Sequence, residues 1–233
     1  NDTPRASTTP VHVYFVLDRS GSMSAIRSDV IGGFNSFVEQ QCAQPGRCLM
    51  TLVQFDSHDP HEVLEDARPI EQIAPLDERR FVPRGSTPLY DAMGHAIADA
   101  AIRTEKRDAA GEPREEIVFV TFTDGQENSS CEYSRNKIFD LIRKREQTGW
   151  SFIYLGANQD AYAEGGRIGY SRGSSQNFVA DEHGTRTAFS STSAAIRRLR
   201  DRMGRGEALD RSNLFDGDKP ADDDAKARGN KPS

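Results

Sequence analysis

Cysteine is scarce in this chain: three in 233 residues, an odd count that closes no disulfide framework. Cys42 and Cys48 bracket the turn-like Ala43-Gln44-Pro45-Gly46-Arg47. A bond between them needs an oxidising compartment, and two reduced thiols beside a loop are the plainer expectation. Cys131 falls in a polar loop without an assignable role. There is no Cys-x-x-Cys pair, and His12, His58, His61, His95 and His183 show no ligand spacing, which argues against a zinc site. No apolar run approaches the roughly 20 residues that span a bilayer. No glycine-rich loop ending in Gly-Lys-Ser/Thr is present, which excludes ATP hydrolysis by that route. Positive charge is not in excess: 30 Lys and Arg against 36 Asp and Glu give a net charge of −6, which speaks against nucleic acid as a partner. Internal repeats are absent, and Asn1 is followed by no basic-then-apolar leader. Few cysteines and that signal-free start lean toward a bacterial cytoplasm, while the compartment and any residues before Asn1 stay open.

What is present is the composition of a globular domain, 36% hydrophobic and 28% charged. Residues 1–10 are polar with two prolines and read as a flexible leader. Residues 214–233 mix acids with lysines and arginine around very few large apolar groups and read as a disordered polar tail. The folded domain is therefore expected over 11–213. Inside it, strand and helix signals alternate. The run 11–17, the stretch 50–55 and the run 117–123 are buried strands, the last one central. A mixed segment, 62–70, suits a short edge strand. Helices are expected over about 25–42, with Ser24 as a cap, and over 135–147. Thr87-Pro88 offers an N-cap and a proline at the first helical position, opening a helix to about Thr104, and 103–116 then reads as a surface loop. Further on come a strand at 152–155, a short helix from Asp160, a strand at 177–179 and a helix striped by Phe189, Thr192, Ile196, Leu199 and Met203. Such alternation implies a largely parallel sheet with helices on both faces, where ligands bind beyond the carboxyl ends of the strands.

Asp18-Arg19-Ser20-Gly21-Ser22 follows the first strand directly, and Gly85-Ser86-Thr87-Pro88-Leu89 and Phe122-Thr123-Asp124-Gly125 come later. Asp18 and Asp124 both fall at the ends of predicted strands, and the connection bearing Thr87 can lie on the same edge. The set is oxygen-only, two carboxylates and three hydroxyls, which suits a hard divalent cation that keeps some of its water. Other residues have plainer readings. Asp91 fits the first turn of a helix, where a carboxylate favours the dipole, and Asp160 likewise. Arg197, Arg198, Arg200, Arg202 and Arg205 form a basic face that reads as solvated rather than as a nucleic-acid contact.

Together the three pieces resemble the metal-ion-dependent adhesion site of von Willebrand factor type A domains, and the strand–helix order is similar over about 11–204. The resemblance implies an α/β, Rossmann-like, doubly wound and mostly parallel sheet with one short antiparallel edge strand. It implies metal ligation by Asp18, Ser20, Ser22, Thr87 and Asp124, with Mg²⁺, or Mn²⁺ or Ca²⁺, as the ion. It also implies a non-enzymatic protein-binding domain, monomeric in isolation, whose metal is completed by an Asp or Glu of a protein partner. In some relatives, ligand binding shifts the last helix, here roughly 186–203. Two alternatives stand beside this reading. One is a metal-dependent hydrolase or phosphatase using Asp18 as nucleophile, although Ser20 occupies the position where such enzymes carry a second acid. The other is a regulatory or assembly subunit of a larger complex.

Overall fold

β-Branched and aromatic residues dominate the first strand, β1 (Val11–Asp18), and all eight of its residues are buried. Its side chains alternate between two cores: Val11, Val13, Phe15 and Leu17 on one face, Tyr14 and Val16 on the other. The computed structural model describes residues 9–157 and 161–228. β2 (Cys48–Asp56), β4 (Glu116–Thr123), β5 (Ser151–Ala157) and β6 (Ser175–Phe178) join β1 in parallel, and β3 (Asp59–Pro69) pairs antiparallel with β2. The sheet order is β3-β2-β1-β4-β5-β6, so β1 and β4 lie at its centre.

On one face pack α1 (Arg27–Cys42) and α5 (Glu182–Gly204), around Phe34, Phe37 and Phe189. On the other pack α2 (Leu89–Ala109), α3 (Arg135–Gln147) and α4 (Ala161–Arg167), around Met93, Ile97, Ile138 and Ile142. This is the expected doubly wound α/β architecture. No helix among the described residues is long and apolar enough to cross a membrane.

Several elements differ from expectation, each for a local reason. β3 is not short: at 11 residues it is the longest strand. The Asp56 carboxylate accepts the amides of His58 and Asp59, at 2.7 and 3.1 Å, and closes the hairpin as soon as β2 ends. A 3₁₀ turn over Gly21–Ile26 precedes α1, so Ser24 lies within that turn and caps nothing. Pro88 flanks α2, which begins at Leu89, and Thr87 is left outside the helix, which runs on to Ala109 into the expected loop.

The tail also differs over its described part. α6 (Pro220–Ala227) packs with α5 and β6, and Phe215, Ala221 and Ala225 are buried. Arg198 and Arg202, two of the five arginines on the face read as solvated, bond to Asp218 and Asp216, at 3.1 and 3.0 Å. The lone apolar groups find a hydrophobic shelf, and the charges between them find partners, so the ordering entropy is met by tertiary contacts. Residues 1–8 of the expected leader, Asp160 at the expected start of α4, and residues 229–233 lie outside the described part. Cys42, Cys48 and Cys131 are free thiols.

Candidate metal centre

β1 leads through α1 to β2 on one side of the sheet centre, and β4 leads through α3 to β5 on the other. The chain thus departs in opposite directions from two neighbouring strand ends, and the crevice between them is the ordinary ligand position of such a sheet. Asp18 ends β1, while Thr123 ends β4 with Asp124 next in the chain.

The Asp18 carboxylate is 0% exposed. Its Oδ1 accepts the Ser20 amide at 2.7 Å, and its Oδ2 accepts the Thr123 hydroxyl at 2.6 Å. Ser20 and Ser22 hydroxyls lie 3.1 Å apart, and Ser22 donates to Asp124 Oδ1 at 2.6 Å. Thr87 joins from the far loop: a Cβ placed on Gly125 would stand 3.3 Å from Thr87 Oγ1 and 3.8 Å from Ser22 Oγ. All five sequence-nominated residues are therefore brought to one place.

Surrounding bonds explain why the loops converge. Arg19 turns its buried side chain away from the site, to Asp56 at 2.7 and 2.8 Å, to Gln54 at 3.2 Å and to Glu62. Its carbonyl accepts the Arg84 amide at 2.9 Å, and the Gly85 carbonyl accepts the Gly21 amide at 3.0 Å. Gly85 has φ +66°, and a Cβ there would meet Ser57 Oγ at 2.5 Å, so glycine is required for this lacing. Asn128 holds Thr87 from both sides, donating its amide to the Thr87 carbonyl at 3.1 Å and accepting the Thr87 amide at 2.9 Å.

Sequence reasoning overlooked three contributors. Thr123 stands inside a quoted motif, where its hydroxyl between two strand-end aspartates was the available signal. Asn128, and Glu127 whose carboxylate accepts the Tyr90 amide at 2.9 Å, sit in a polar loop with no local pattern to mark them. Asp91 was placed correctly in the first turn of α2 but does more than favour the dipole: its carboxylate accepts the amides of Cys131, Glu132 and Tyr133, at 2.8–2.9 Å, and fixes the loop that follows Asp124.

Burial sets the electrostatics of this edge. Burial pushes the Asp18 carboxyl up to about 7, against the opposing hydrogen bonds from Thr123 and Ser20. Burial raises Asp124 as well, with the Ser22 hydroxyl opposing. Asp18 has two neutral hydrogen-bond donors, and no cationic side chain bonds to it among the described residues. Two buried carboxylates and three neutral hydroxyls make a set that a small divalent cation would satisfy. Among the described residues no group of three or more His, Cys, Asp or Glu gathers as a metal cluster, so any ion held here would rest on hydroxyls as much as on acids.

No protein-family model matches the chain, and no curated protein matches it. Solved structures do. Proximal thread matrix protein 1 from the mussel byssus, with a zinc-occupied adhesion-site motif, is 14% identical over 78% of this chain and 46% of its own, with a TM-score of 0.54. A von Willebrand factor type A protein from Catenulispora acidiphila is 14% identical over 80% of this chain and 42% of its own, with a TM-score of 0.51. Manganese-loaded TRAP protein of Plasmodium vivax is 17% identical over 78% of this chain and 72% of its own, with a TM-score of 0.50. The chain spans less than half the length of the first two. With the central β1–β4 crevice, the antiparallel edge strand and these similarities, the chain has the fold of von Willebrand factor type A domains.

Proposed function

We propose that this chain is a divalent-metal-dependent protein-binding domain. Asp18, Ser20, Ser22, Thr87 and Asp124 hold the ion, which is Mg²⁺, or Mn²⁺ or Ca²⁺. The observation that carries the reading is the fully buried Asp18 carboxylate, with neutral donors alone around it, at the strand ends where three hydroxyls and a second carboxylate converge. The bound ion supplies an electrophilic centre for an oxygen ligand. Five protein groups of which only two are charged leave that centre receptive to an anion, so an Asp or Glu of a partner protein completes it.

Binding, rather than turnover, is the chemistry of this edge. Its hydroxyls bond to one another and to Asp124, and among the described residues neither a histidine nor a lysine is bonded to any of them. The zinc-occupied mussel site and the manganese-loaded Plasmodium protein support a divalent ion in this fold. In this reading the domain is a monomer in isolation, and the partner's acid closes the metal shell.

Titration calorimetry of Mg²⁺ and Mn²⁺ into the wild type, Asp18→Ala and Thr87→Ala tests the ion site. Binding in the wild type and none in Asp18→Ala is the expected result. A second arm captures partners in Mg²⁺ and in chelator, followed by replacement of each candidate partner acid by its amide. Metal binding identical in all three proteins, or capture indifferent to both chelator and the partner's acid, would refute the proposal.

A further inference from the structure

A second cavity, of about 450 Å³, lies away from the metal edge, between α2 and the β2–β3 side of the sheet. That volume lies within the usual range of small-molecule sites. Tyr14 and Val53 line it from the sheet, Val63 from β3, and Ile102 from α2. Val63 and Ile102, 41% and 50% exposed, are two of the three exposed large hydrophobic residues among those described. Scattered exposed apolar groups are ordinary, but two facing one concavity are a surface with something left to cover.

Two polar atoms at this cavity have no partner. Tyr14 is only 2% exposed as a residue, and its hydroxyl, which is not sealed from solvent, makes no hydrogen bond among the described residues. Burial raises its pKa with no hydrogen bond to offset the effect. His61 bonds Asp99 through Nε2 at 2.7 Å, while its Nδ1 is buried without a partner. Buried polar groups in folded proteins are nearly always satisfied, so the buried His61 Nδ1 at this cavity points to a missing ligand or to ordered water.

The charges narrow the chemistry. Arg103 is held by Glu115 at 2.8 and 3.2 Å, Arg107 by Glu112 and Glu115, and Asp99 by His61. Two charged lining residues remain without an ion pair among those described: Asp66 on β3 and Lys106 on α2, one of each sign. On α2, Ile102 and Lys106 stand one helical turn apart on the same face, which sets the cation beside the apolar wall.

We propose that this cavity binds a free α-amino acid with an apolar side chain, its ammonium toward Asp66, its carboxylate toward Lys106, and its side chain against Val53, Val63 and Ile102. The inference is independent of the metal site. Water satisfies Tyr14 and His61 equally well, but water gives no reason for exposed apolar walls flanked by one free charge of each sign.

The full chain, in chelator to silence the metal edge, is titrated with L-phenylalanine, 2-phenylethylamine, 3-phenylpropionate and the doubly blocked N-acetyl-phenylalanine amide, by ligand-detected NMR and calorimetry. L-Phenylalanine should bind saturably, and each analogue should bind about tenfold more weakly, as expected for one lost charged contact. Asp66→Asn should abolish the preference for L-phenylalanine over 3-phenylpropionate, and Lys106→Gln its preference over 2-phenylethylamine. Tyr14→Phe should weaken binding about fivefold, with near-UV circular dichroism confirming the fold. No saturable binding of L-phenylalanine below roughly 10 mM, or equal affinity for all four probes, would overturn the assignment. Tighter binding of the blocked amide would overturn it too, in favour of a polypeptide segment as the occupant.

Discussion

At the scale of the residue, Asp18 carries a large electrostatic cost of burial. Its carboxyl is pushed up to about 7 by burial, from an ordinary 3.8. The folded protein therefore holds this proton more tightly than the unfolded chain does. The sign follows: without metal, the contribution of this group to stability is greatest below about pH 4 and is lost as pH rises toward 7. Asp18→Asn keeps the shape and removes the charge, so in chelator at pH 7.5 the variant should be more stable than the wild type by about 1–3 kcal/mol. Saturating Mg²⁺ should reverse the order, since an ion at about a thousand times its dissociation constant adds about 4.1 kcal/mol to the wild type alone. Chemical denaturation of both proteins in chelator and in Mg²⁺ checks the crossover. A variant less stable than the wild type in both conditions would mean that the hydrogen bonds from Ser20 and Thr123 outweigh the buried charge.

At the scale of the element, α5 is fastened over its second half to the carboxyl end of α1. Arg200 is buried and donates to the carbonyls of Gln41, Gln44, Pro45 and Gly46, at 2.8–3.2 Å, so it caps the carboxyl end of α1 and its following turn. Gln41 answers by donating to the carbonyl and hydroxyl of Ser193, at 3.0 and 2.8 Å. Arg200→Ala leaves several of these buried acceptors without a donor and should cost about 2–4 kcal/mol in urea denaturation, with Arg200→Lys restoring part of it. An effect within 0.5 kcal/mol of zero would show that water replaces the guanidinium without loss. Farther along, Phe215 is fully buried against the α1–α5 core, and Phe215→Ala should cost about 3–5 kcal/mol and loosen α6 in hydrogen exchange. Loss below 1 kcal/mol, with α6 unchanged, would refute the tail's role as a docked part of the fold.

The same elements show what was legible in the sequence. β1, β4 and α3 were plain because a strand buried on both faces reads as a continuous apolar run, and because Ile138 and Ile142 recur at helical spacing. The convergence of the five nominated residues was legible because each stands at a fixed offset from such a strand or, for Thr87, beside the proline that flanks α2. Asp91 was harder: its loop partners lie about forty residues away, and amides carry no side-chain signature. The tail was misread because Leu214 and Phe215 are isolated in a polar stretch, and their anchors are arginines on a distant helix. Local composition measures how much apolar surface a segment owns, not how much another element offers to it.

At the scale of the whole molecule, the sheet has opposite electrostatics at its two ends. The carboxyl end buries Asp18 and Asp124 with neutral donors bonded to them among the described residues, while the other end buries an ion cluster that pairs its own charges. There His12 Nδ1 meets Glu115 at 2.9 Å, Nε2 meets Thr51 at 2.9 Å, and Arg103 and Arg107 close on the same carboxylate at 2.8 and 3.3 Å. Burial lowers the pKa of His12 despite the adjacent Glu115, so the ring is neutral and the charges facing Glu115 are the two guanidiniums. Burial would raise Glu115, but the hydrogen bonds from His12 and Arg103 outweigh it and hold the carboxyl down at about 2. Both groups work in one direction. A depressed carboxyl gives stability that is present above its unfolded value near 4.5 and is lost as pH falls toward 2. A buried neutral histidine loses stability as pH falls below 6.5, where the unfolded chain takes up the proton first. The wild type should therefore lose about 1.4 kcal/mol per pH unit from Glu115 alone as pH falls below 4.5. Glu115→Gln should be less stable than the wild type by about 2–3 kcal/mol at pH 7, and that difference should shrink steadily between pH 4.5 and 2.5. Denaturant midpoints of the two proteins across this range provide the measurement. A gap that stays constant with pH would show that the amide costs packing alone and that the foot of the sheet owes nothing to the ionised carboxylate.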